Sequence, residues 1–197
     1  MLTKAIFIVI VATVFLQRLF ELRLSQYNAA RILAEGGREH SSNYLQVVKV
    51  LQLTWFVAMI AEVWWLERPF VPGLAALALI ATLVGQILRY LSMRALGWRW
   101  TLPIMTLPGT SAINSGIYRY LRHPNWLGVI LEIAAVPLIH SAYLTAIFFS
   151  FANALLMNKR IEAEEQALSY DSNYACLFAG RPSFIPKIEI KVFGQGF

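Results

Sequence analysis

Five apolar runs, separated by short polar segments, dominate the pattern of the sequence. They cover residues 5–22, 45–66, 71–91, 126–139 and 142–157. The first three are long enough to cross the ~30 Å hydrocarbon core of a bilayer as helices of about 20 residues. The last two are shorter, and Pro137, His140 and Ser141 between them predict a tight turn. The pattern therefore predicts an all-α integral membrane protein with five transmembrane helices.

The basic residues predict the orientation of these helices. If the N-terminus lies outside, five spans place all of the 17 lysines and arginines except Lys4 and Arg68 in cytoplasmic segments. This asymmetry is the one expected from the positive-inside rule. Four or six spans would put basic segments on both sides of the membrane. We therefore expect an outside N-terminus and a cytoplasmic C-terminus.

The composition narrows the class of protein and its partners. The chain is 58% hydrophobic and 14% charged, whereas a soluble domain averages about 25% charged residues. A basic cytoplasmic rim facing anionic lipid headgroups accounts for the net charge of +6, so we expect the lipid bilayer as a partner and no nucleic acid. The single cysteine, Cys176, excludes an internal disulfide, and no Cys/His spacing indicates a metal site.

The sequence also supports expectations about three further segments, namely the N-terminal run, residues 25–43 and residues 97–114. The N-terminal run lacks a small-residue cleavage site, so we expect it to be retained as a span. Residues 25–43 are polar, and Gly36 and Gly37 predict a cytoplasmic loop in which His40 is solvated. Prolines and glycines exclude a continuous helix over residues 97–114. Because lipid cannot satisfy such a backbone, this segment must lie at the cytoplasmic face or inside a protein cavity.

Two polar clusters flank the hairpin predicted for the last two spans. In the first, residues 116–128, Pro124 occupies the first turn of a helix, so His123 lies at a helix N-terminus that favours an anion. In the second, residues 160–165, Arg160 and Glu164 share a helix face, either as an exposed salt bridge or as part of a site. Together the clusters suit a ligand with a zwitterionic head and a flat ring.

Glu132 lies about five residues inside the fourth span. A carboxylate at that depth costs roughly 2.5–3.5 kcal/mol unless it is paired or wetted. It is therefore expected to face the bundle, either in a structural pair with Gln86 or Arg89 or at the substrate.

Two blocks of the sequence carry a family resemblance. Tyr118 with residues 122–128 (Arg-His-Pro-Asn-Trp-Leu-Gly), and residues 160–165 (Arg-Ile-Glu-Ala-Glu-Glu), resemble the signature blocks of the isoprenylcysteine carboxyl methyltransferase family. Related blocks occur in phospholipid methyltransferases. The resemblance covers residues 85–186. Because the chain has no repeats or low-complexity tracts, we expect one domain over residues 1–197, with two N-terminal spans in 1–70 and a catalytic core in 71–197.

The resemblance also implies a cofactor and a set of site residues. The cofactor is S-adenosyl-L-methionine, bound in a cytoplasm-facing cleft, with S-adenosyl-L-homocysteine as product. Its expected contacts are Thr110, Ser111, Ala112, Ile113, Tyr118, His123, Pro124, Asn125, Trp126 and Glu164. Arg160 would bind a lipid-like acceptor entering from the bilayer. Trp126 stands where the family commonly has tyrosine, which keeps an aromatic surface but removes a hydroxyl.

The chemistry of the acceptor decides which other residues act. A carboxylate is already a nucleophile and needs only a cation such as Arg160 to orient it. A phenol, with a pKa near 10, needs a base, and Glu165, Glu132 and His123 are the candidates. We therefore expect Arg160 and Glu165 as catalytic residues and Arg160 and Glu132 as acceptor contacts.

Three functions follow as hypotheses. The first is methylation of a carboxylate on a lipid-like acceptor such as isoprenylated cysteine. The second is O-methylation of a long-chain phenolic or pyrone lipid, since the length of the chain and residues 97–101 resemble bacterial members of the family. The third is a non-enzymatic lipid-binding or transport protein, suggested by Glu62, Arg89 and Glu132. The expected location is the bacterial cytoplasmic membrane, with the endoplasmic reticulum as the alternative.

Overall fold

The computed structural model describes residues 1–40 and 43–184. Its long helices are α1 (Leu2–Ala34), α2 (Asn43–Trp65), α3 (Pro72–Leu96), α4 (Pro124–Leu138) and α5 (Tyr143–Asp171), and a short helix α6 covers Tyr174–Phe178. Two three-residue strands, β1 (Arg38–His40) and β2 (Ile104–Thr106), pair antiparallel. All five predicted apolar runs thus lie in helices.

The helices expose the apolar surface that a membrane protein needs. Leu77, Ile80, Leu83 and Ile87 form one exposed stripe along α3, and a soluble monomer rarely leaves so large an apolar area open. By length and composition, α1, α2 and α3 can each cross a bilayer, whereas α4 has 15 residues. The protein is an integral membrane protein; five crossings and the orientation stay predictions.

Helices α3 and α4 approach each other through glycines. A Cβ atom on Gly85 would lie 2.9 Å from the carbonyl oxygen of Gly128, and one on Gly128 would lie 2.6 Å from Cγ of Arg89. Small residues allow such close backbone contact, which is how membrane helices gain packing energy. This contact fixes Arg89 of α3 against the start of α4.

The predicted loop over residues 25–43 is wrong for its first part, because α1 continues to Ala34. The polar residues of this part of α1 form hydrogen bonds with the backbone of a segment that is distant in sequence. Asn28 donates to the carbonyl of Trp100 at 2.8 Å, and the N–H of Leu102 donates to Ser25 Oγ at 2.7 Å. Gly36, with φ at +86°, follows the helix end. The strand pair then joins Arg38 to Thr106, Glu39 to Met105 and His40 to Ile104.

The segment between α3 and α4 is irregular, as predicted. It contains two 3-10 turns, at 97–99 and 116–119, and strand β2. Helix α4 begins at Pro124 with His123 as its N-cap, and α5 runs through the second polar cluster to Asp171. The fold therefore brings both polar clusters to one end of the helix bundle, called here the site end.

Candidate functional site

A cavity of about 430 Å³ lies at the site end and contains most of the predicted site residues. Its polar part is lined by residues from the irregular segment, the start of α4 and one face of α5. The expected residues that line it are Thr110, Ser111, Ala112, Ile113, Tyr118, His123, Asn125, Trp126, Arg160 and Glu164. The two blocks, far apart in sequence, thus share one cavity.

Helix α5 contributes one continuous face to this cavity. Asn153, Met157, Arg160, Glu164 and Leu168 all line it, and their spacing of three or four residues places them in one row along the helix. The row runs from an apolar to a polar environment, so it connects two chemically different parts of the cavity.

Arg160 is the central cation of this row. Its side chain is 4% exposed, it donates to the carbonyl of Leu102, and its guanidinium lies 4.9 Å from the ring centroid of Trp126. Its Nε has no hydrogen-bond partner in the part of the chain that the structure describes. A buried guanidinium with spare donors and a stacked aromatic ring is well suited to binding an oxyanion.

Arg160 and Glu164 are not the salt bridge that their spacing allows. Glu164 instead accepts a hydrogen bond from Trp126 Nε1 at 3.1 Å, and no ion pair joins it to Arg160 among the described residues. The indole N–H of Trp126 thus supplies a donor where the usual tyrosine would present its hydroxyl. The carboxylate is oriented while Arg160 stays available.

His123 and Glu165 form a second pair beside the cavity. His123 Nε2 lies 2.8 Å from Glu165 Oε1, and Arg122 Nη1 lies 3.0 Å from the same oxygen. The Tyr174 hydroxyl also donates to it at 3.4 Å, and burial, with the nearby carboxylates, raises the pKa of Tyr174. His123 lines the cavity, whereas Glu165 lies behind it.

The loop over residues 110–113 is held by neighbouring polar groups. Arg99 donates to the carbonyl of Ser111 at 2.9 Å, the N–H of Ala112 donates to Asn173 at 2.8 Å, and Thr110 donates to the carbonyl of Leu107. These bonds fix the loop backbone along the cavity wall.

Two further groups present hydrogen-bonding capacity to the polar part of the cavity. Burial and the nearby Glu164 carboxylate raise the pKa of Tyr118, so its hydroxyl stays a neutral donor. Asn125 Oδ1 is buried and has no partner among the described residues. A buried carbonyl without a partner is costly unless a ligand supplies a donor.

Three of the expected residues do not line the cavity. Pro124 is the first residue of α4 and serves to start that helix. Glu165 supports His123, as described above. Glu132 is 0% exposed, and its carboxylate pairs with Arg18 and Arg89.

Glu132 belongs to a buried ionic network that sequence analysis identified only in part. Arg18 contacts both Glu21 and Glu132, and Arg89 also contacts both. Arg89 was one of the two expected structural partners of Glu132, whereas the participation of Arg18 and Glu21 in the network was not predicted. The spacing of Arg18 and Glu21 could have indicated this pairing, because two charged residues three positions apart inside the first apolar run lie on one helix face.

His40 is not a simple solvated residue. Its Nε2 lies 2.7 Å from Thr106 Oγ1 and 3.2 Å from Asp171 Oδ2, and Thr106 also donates to Asp171. These contacts tie strand β1 to the end of α5. The hydrogen bond from Thr106, with smaller contributions from His40 and Arg38, lowers the pKa of Asp171.

The chain after α6 reaches the start of α4. The N–H groups of Arg122 and His123 donate to the carbonyls of Pro182 and Ser183, and the Phe184 ring lies 6.4 Å from that of His123. The polar to amphipathic sequence of residues 184–187 predicts that the tail folds back over α5, and residues 185–187 lie outside the described residues.

The cavity also has an apolar arm. It is lined by Phe15, Leu19 and Leu22 of α1 and by Leu45, Val48, Leu51, Leu53 and Phe56 of α2. Phe15, Leu19 and Leu53 among these residues are exposed. Polar and charged residues from the same helices and from α3 also line the cavity: Arg18 and Glu21 of α1, Lys49 and Gln52 of α2, and Arg89 of α3.

Comparisons with known proteins identify the family. A sequence profile of the isoprenylcysteine carboxyl methyltransferase family matches residues 76–170. The uncharacterized protein YpbQ of Bacillus subtilis is 33% identical over 171 residues, which span 82% of this chain and 96% of that protein. The protein-S-isoprenylcysteine O-methyltransferase of Dictyostelium discoideum is 29% identical over 111 residues, which span 53% of this chain and 47% of that enzyme.

A solved structure supports the same relationship at the level of fold. The eukaryotic intramembrane Ras methyltransferase ICMT superposes with a TM-score of 0.54 at 18% identity, covering 76% of this chain and 55% of that one. The chain thus spans about half the length of the eukaryotic proteins that it matches. The chain belongs to the isoprenylcysteine carboxyl methyltransferase family of membrane methyltransferases.

Proposed function

We propose that this protein transfers a methyl group from S-adenosyl-L-methionine to an oxygen of a lipid-like acceptor, in the first instance the carboxylate of an isoprenylated cysteine or a similar lipid acid. One observation carries the proposal. Arg160, a buried cation without a carboxylate partner among the described residues, lies in one cavity between a polar part and an apolar arm.

The residues of the polar part fit the proposed cofactor. S-adenosyl-L-methionine supplies an electrophilic methyl group on a sulfonium, together with ammonium, carboxylate, ribose and adenine groups. Glu164 would accept hydrogen bonds from a cationic or hydroxyl group, Asn125 Oδ1 would accept from an N–H, and Tyr118 would donate. The orphaned oxygen of Asn125 is the structural sign that a donor is expected here.

Arg160 would bind and orient the acceptor. A carboxylate is ionised at neutral pH, so no base is required and catalysis can come from holding two partners in line. Such positioning contributes up to about 7–11 kcal/mol in favourable cases. The contact of Arg160 with Leu102 and the Trp126 ring restricts its motion, which reduces the entropy lost when an anion binds.

The apolar arm supports a lipid as acceptor. Apolar side chains of α1 and α2 line it, and three of them, Phe15, Leu19 and Leu53, are exposed. We infer that a lipid would enter between these helices. A hydrocarbon chain in the arm would gain roughly 25 cal/mol for each Å² of apolar surface removed from water. The similarity to a Bacillus subtilis protein extends over 171 residues, and it favours a bacterial cytoplasmic membrane as the location.

The His123–Glu165 pair favours a second candidate, O-methylation of a long-chain phenol or hydroxypyrone. With Nε2–H of His123 donating to Glu165, Nδ1 keeps the lone pair that could take a phenolic proton. Glu165 would then act as a positioning residue and His123 as the base. In this case Glu165→Gln should lower the rate with the phenol severely and the rate with a carboxylate only mildly.

The features that suggested transport have structural partners. Glu62 accepts hydrogen bonds from the N–H groups of Leu144 and Thr145 at the start of α5 and pairs with Arg68. Arg89 and Glu132 belong to the ionic network. A non-enzymatic protein would show no affinity for S-adenosylhomocysteine.

Methyl transfer from labelled S-adenosylmethionine, with the purified protein in lipid, tests the proposal. The acceptors are a farnesylated cysteine analogue and a long-chain resorcinol. Label that mild base releases as methanol identifies a carboxyl ester and supports the first candidate. Base-stable label on the resorcinol identifies an ether and supports the second. No transfer to either acceptor contradicts the proposed function.

A further inference from the structure

Asn153 is a buried polar residue of the cavity to which the proposed chemistry gives no role. Asn153 lies on α5, is 6% exposed and lines the cavity. Among residues 1–40 and 43–184, its one hydrogen bond is donated to the thioether sulfur of Met157 at 4.0 Å. Because sulfur is a weak acceptor and a primary amide has two donor hydrogens and an acceptor oxygen, most of the capacity of this amide is unused.

The position of Asn153 relative to Arg160 indicates what could use that capacity. The two residues are seven positions apart on one face of α5, which corresponds to two turns and about 10 Å along the axis. Asn153 lies in the N-terminal half of α5, and the cavity that it lines is also lined by the apolar residues Phe56, Val129 and Leu156. A group of the acceptor bound at Arg160 would therefore lie within about 10 Å of the Asn153 amide.

A purely hydrocarbon chain at this place would leave the amide without a partner. A buried amide that loses its hydrogen bonds is costly in an apolar environment. Leucine has the same branched arrangement of four side-chain heavy atoms and would make a more favourable lining for a plain alkyl chain. An asparagine here thus favours an acceptor that has hydrogen-bonding atoms at two places.

We infer that Asn153 is a specificity-determining residue that hydrogen-bonds a second polar group of the acceptor, next to the group that is methylated beside Arg160. This inference rests on the proposed function and narrows its substrate class. The acceptor is a lipid whose head carries at least two hydrogen-bonding groups, such as a dihydroxyphenyl ring or an amide-bearing cysteine. A simple monophenol or an unsubstituted lipid acid lacks the second group.

Matched acceptors separate this role from a structural one. One pair is a long-chain resorcinol and the long-chain phenol that lacks one hydroxyl. The other pair is N-acetyl-S-farnesylcysteine and S-farnesylthiopropionic acid, which lacks the amide. In each pair the ratio of kcat/KM for the two-group acceptor to that for the one-group acceptor measures recognition of the second group.

The variants are Asn153→Leu and, as a matched control, Asn158→Leu. Asn158 is an exposed asparagine of the same helix, and it does not line the cavity. We expect Asn153→Leu to lower the ratio about 10-fold, as expected for the loss of one hydrogen bond, and to leave the KM for S-adenosylmethionine unchanged. Asn158→Leu should leave both quantities unchanged.

Each remaining outcome has a defined meaning. Methylation with an unchanged ratio in Asn153→Leu overturns the role of Asn153 and leaves the proposed function intact. If Asn153→Leu does not fold, Asn153→Ala, which has no hydrogen-bonding side chain, replaces it, and an unchanged ratio there assigns a structural role to the amide. Failure of the wild-type protein to methylate all four acceptors contradicts the proposed function and this inference with it.

Discussion

Two groups of charged side chains lie next to each other in the helix bundle and differ in how their charges are satisfied. In the ionic network, Arg18 and Arg89 each contact both Glu21 and Glu132, so positive and negative charges balance. Arg18, Glu21 and Arg89 line the same cavity as Arg160, whereas Glu132 does not. In the cavity, Arg160 has a backbone carbonyl and an aromatic ring as neighbours, while Glu164 accepts from Trp126.

The comparison separates structural charges from functional ones. Burying a charge costs desolvation energy, which attraction to an opposite charge offsets. Removing one member of a buried ion pair leaves the other charge uncompensated. We therefore expect the network to contribute to folding, whereas Arg160 and Glu164, which do not pair with each other, keep hydrogen-bonding capacity that a ligand can use. Glu132 is a more completely buried carboxylate than Glu164, and its contact with the acceptor stays a prediction.

The largest expected effect is on stability and comes from the network. Glu132→Leu leaves two buried guanidinium groups facing a single carboxylate, and we expect it to destabilise the protein by about 3–5 kcal/mol. Thermal unfolding in detergent measures this. The double variant Glu132→Leu/Arg89→Leu removes one charge of each sign and should recover part of the loss; equal stability of wild type and Glu132→Leu would contradict the structural role.

The next effect is on acceptor use and comes from the cavity. Arg160→Ala removes the cation proposed to hold the acceptor, so kcat/KM for the acceptor should fall by about 10- to 100-fold, the range expected for hydrogen bonds to a charged group. The KM for S-adenosylmethionine should change little. Steady-state methyl transfer with each substrate varied in turn gives both values.

Lys159→Ala is the control for this prediction, because Lys159 is the exposed neighbour on the same helix and does not line the cavity. An Arg160→Ala variant that weakens the cofactor as much as the acceptor would place Arg160 at the cofactor instead.

The smallest effect concerns the tryptophan that replaces the usual tyrosine. Trp126→Phe keeps the ring beside Arg160 but removes the N–H that donates to Glu164. We expect the affinity for S-adenosylhomocysteine to fall about 3- to 10-fold, the usual value of one hydrogen bond. Trp65→Phe, at an exposed site on α2, should have no effect. Unchanged affinity in Trp126→Phe would show that Glu164 needs no such donor.

The helices and the start of α4 could be predicted because their signals are local. Apolar runs determine where helices form in a membrane, and Pro124 identifies the first turn of α4. The end of α1 could not be predicted in this way. Ser25 and Asn28 have the polarity of loop residues, yet they bond to a backbone segment more than 70 positions away.

The candidate site, too, could be predicted only where local sequence patterns determine it. The two blocks predicted a shared cavity because a hairpin joins them, and the cavity contains most of their residues. The role of Asn153 depends on which face of α5 meets the cavity, and the pairing of Glu132 with Arg18 joins residues 114 positions apart. Strands β1 and β2 have three residues each, too few to show an alternating pattern.

Binding of S-adenosylhomocysteine by isothermal titration calorimetry tests the central claim most directly, since it requires no knowledge of the acceptor. The titrations use wild-type protein, Glu164→Ala and Glu162→Ala, where Glu162 is an exposed carboxylate of the same helix that does not line the cavity. We expect binding to wild type and to Glu162→Ala, with affinity at least about 10-fold weaker in Glu164→Ala. Absence of binding to the wild-type protein, or equal binding to all three, would contradict the assignment of this cavity to the cofactor.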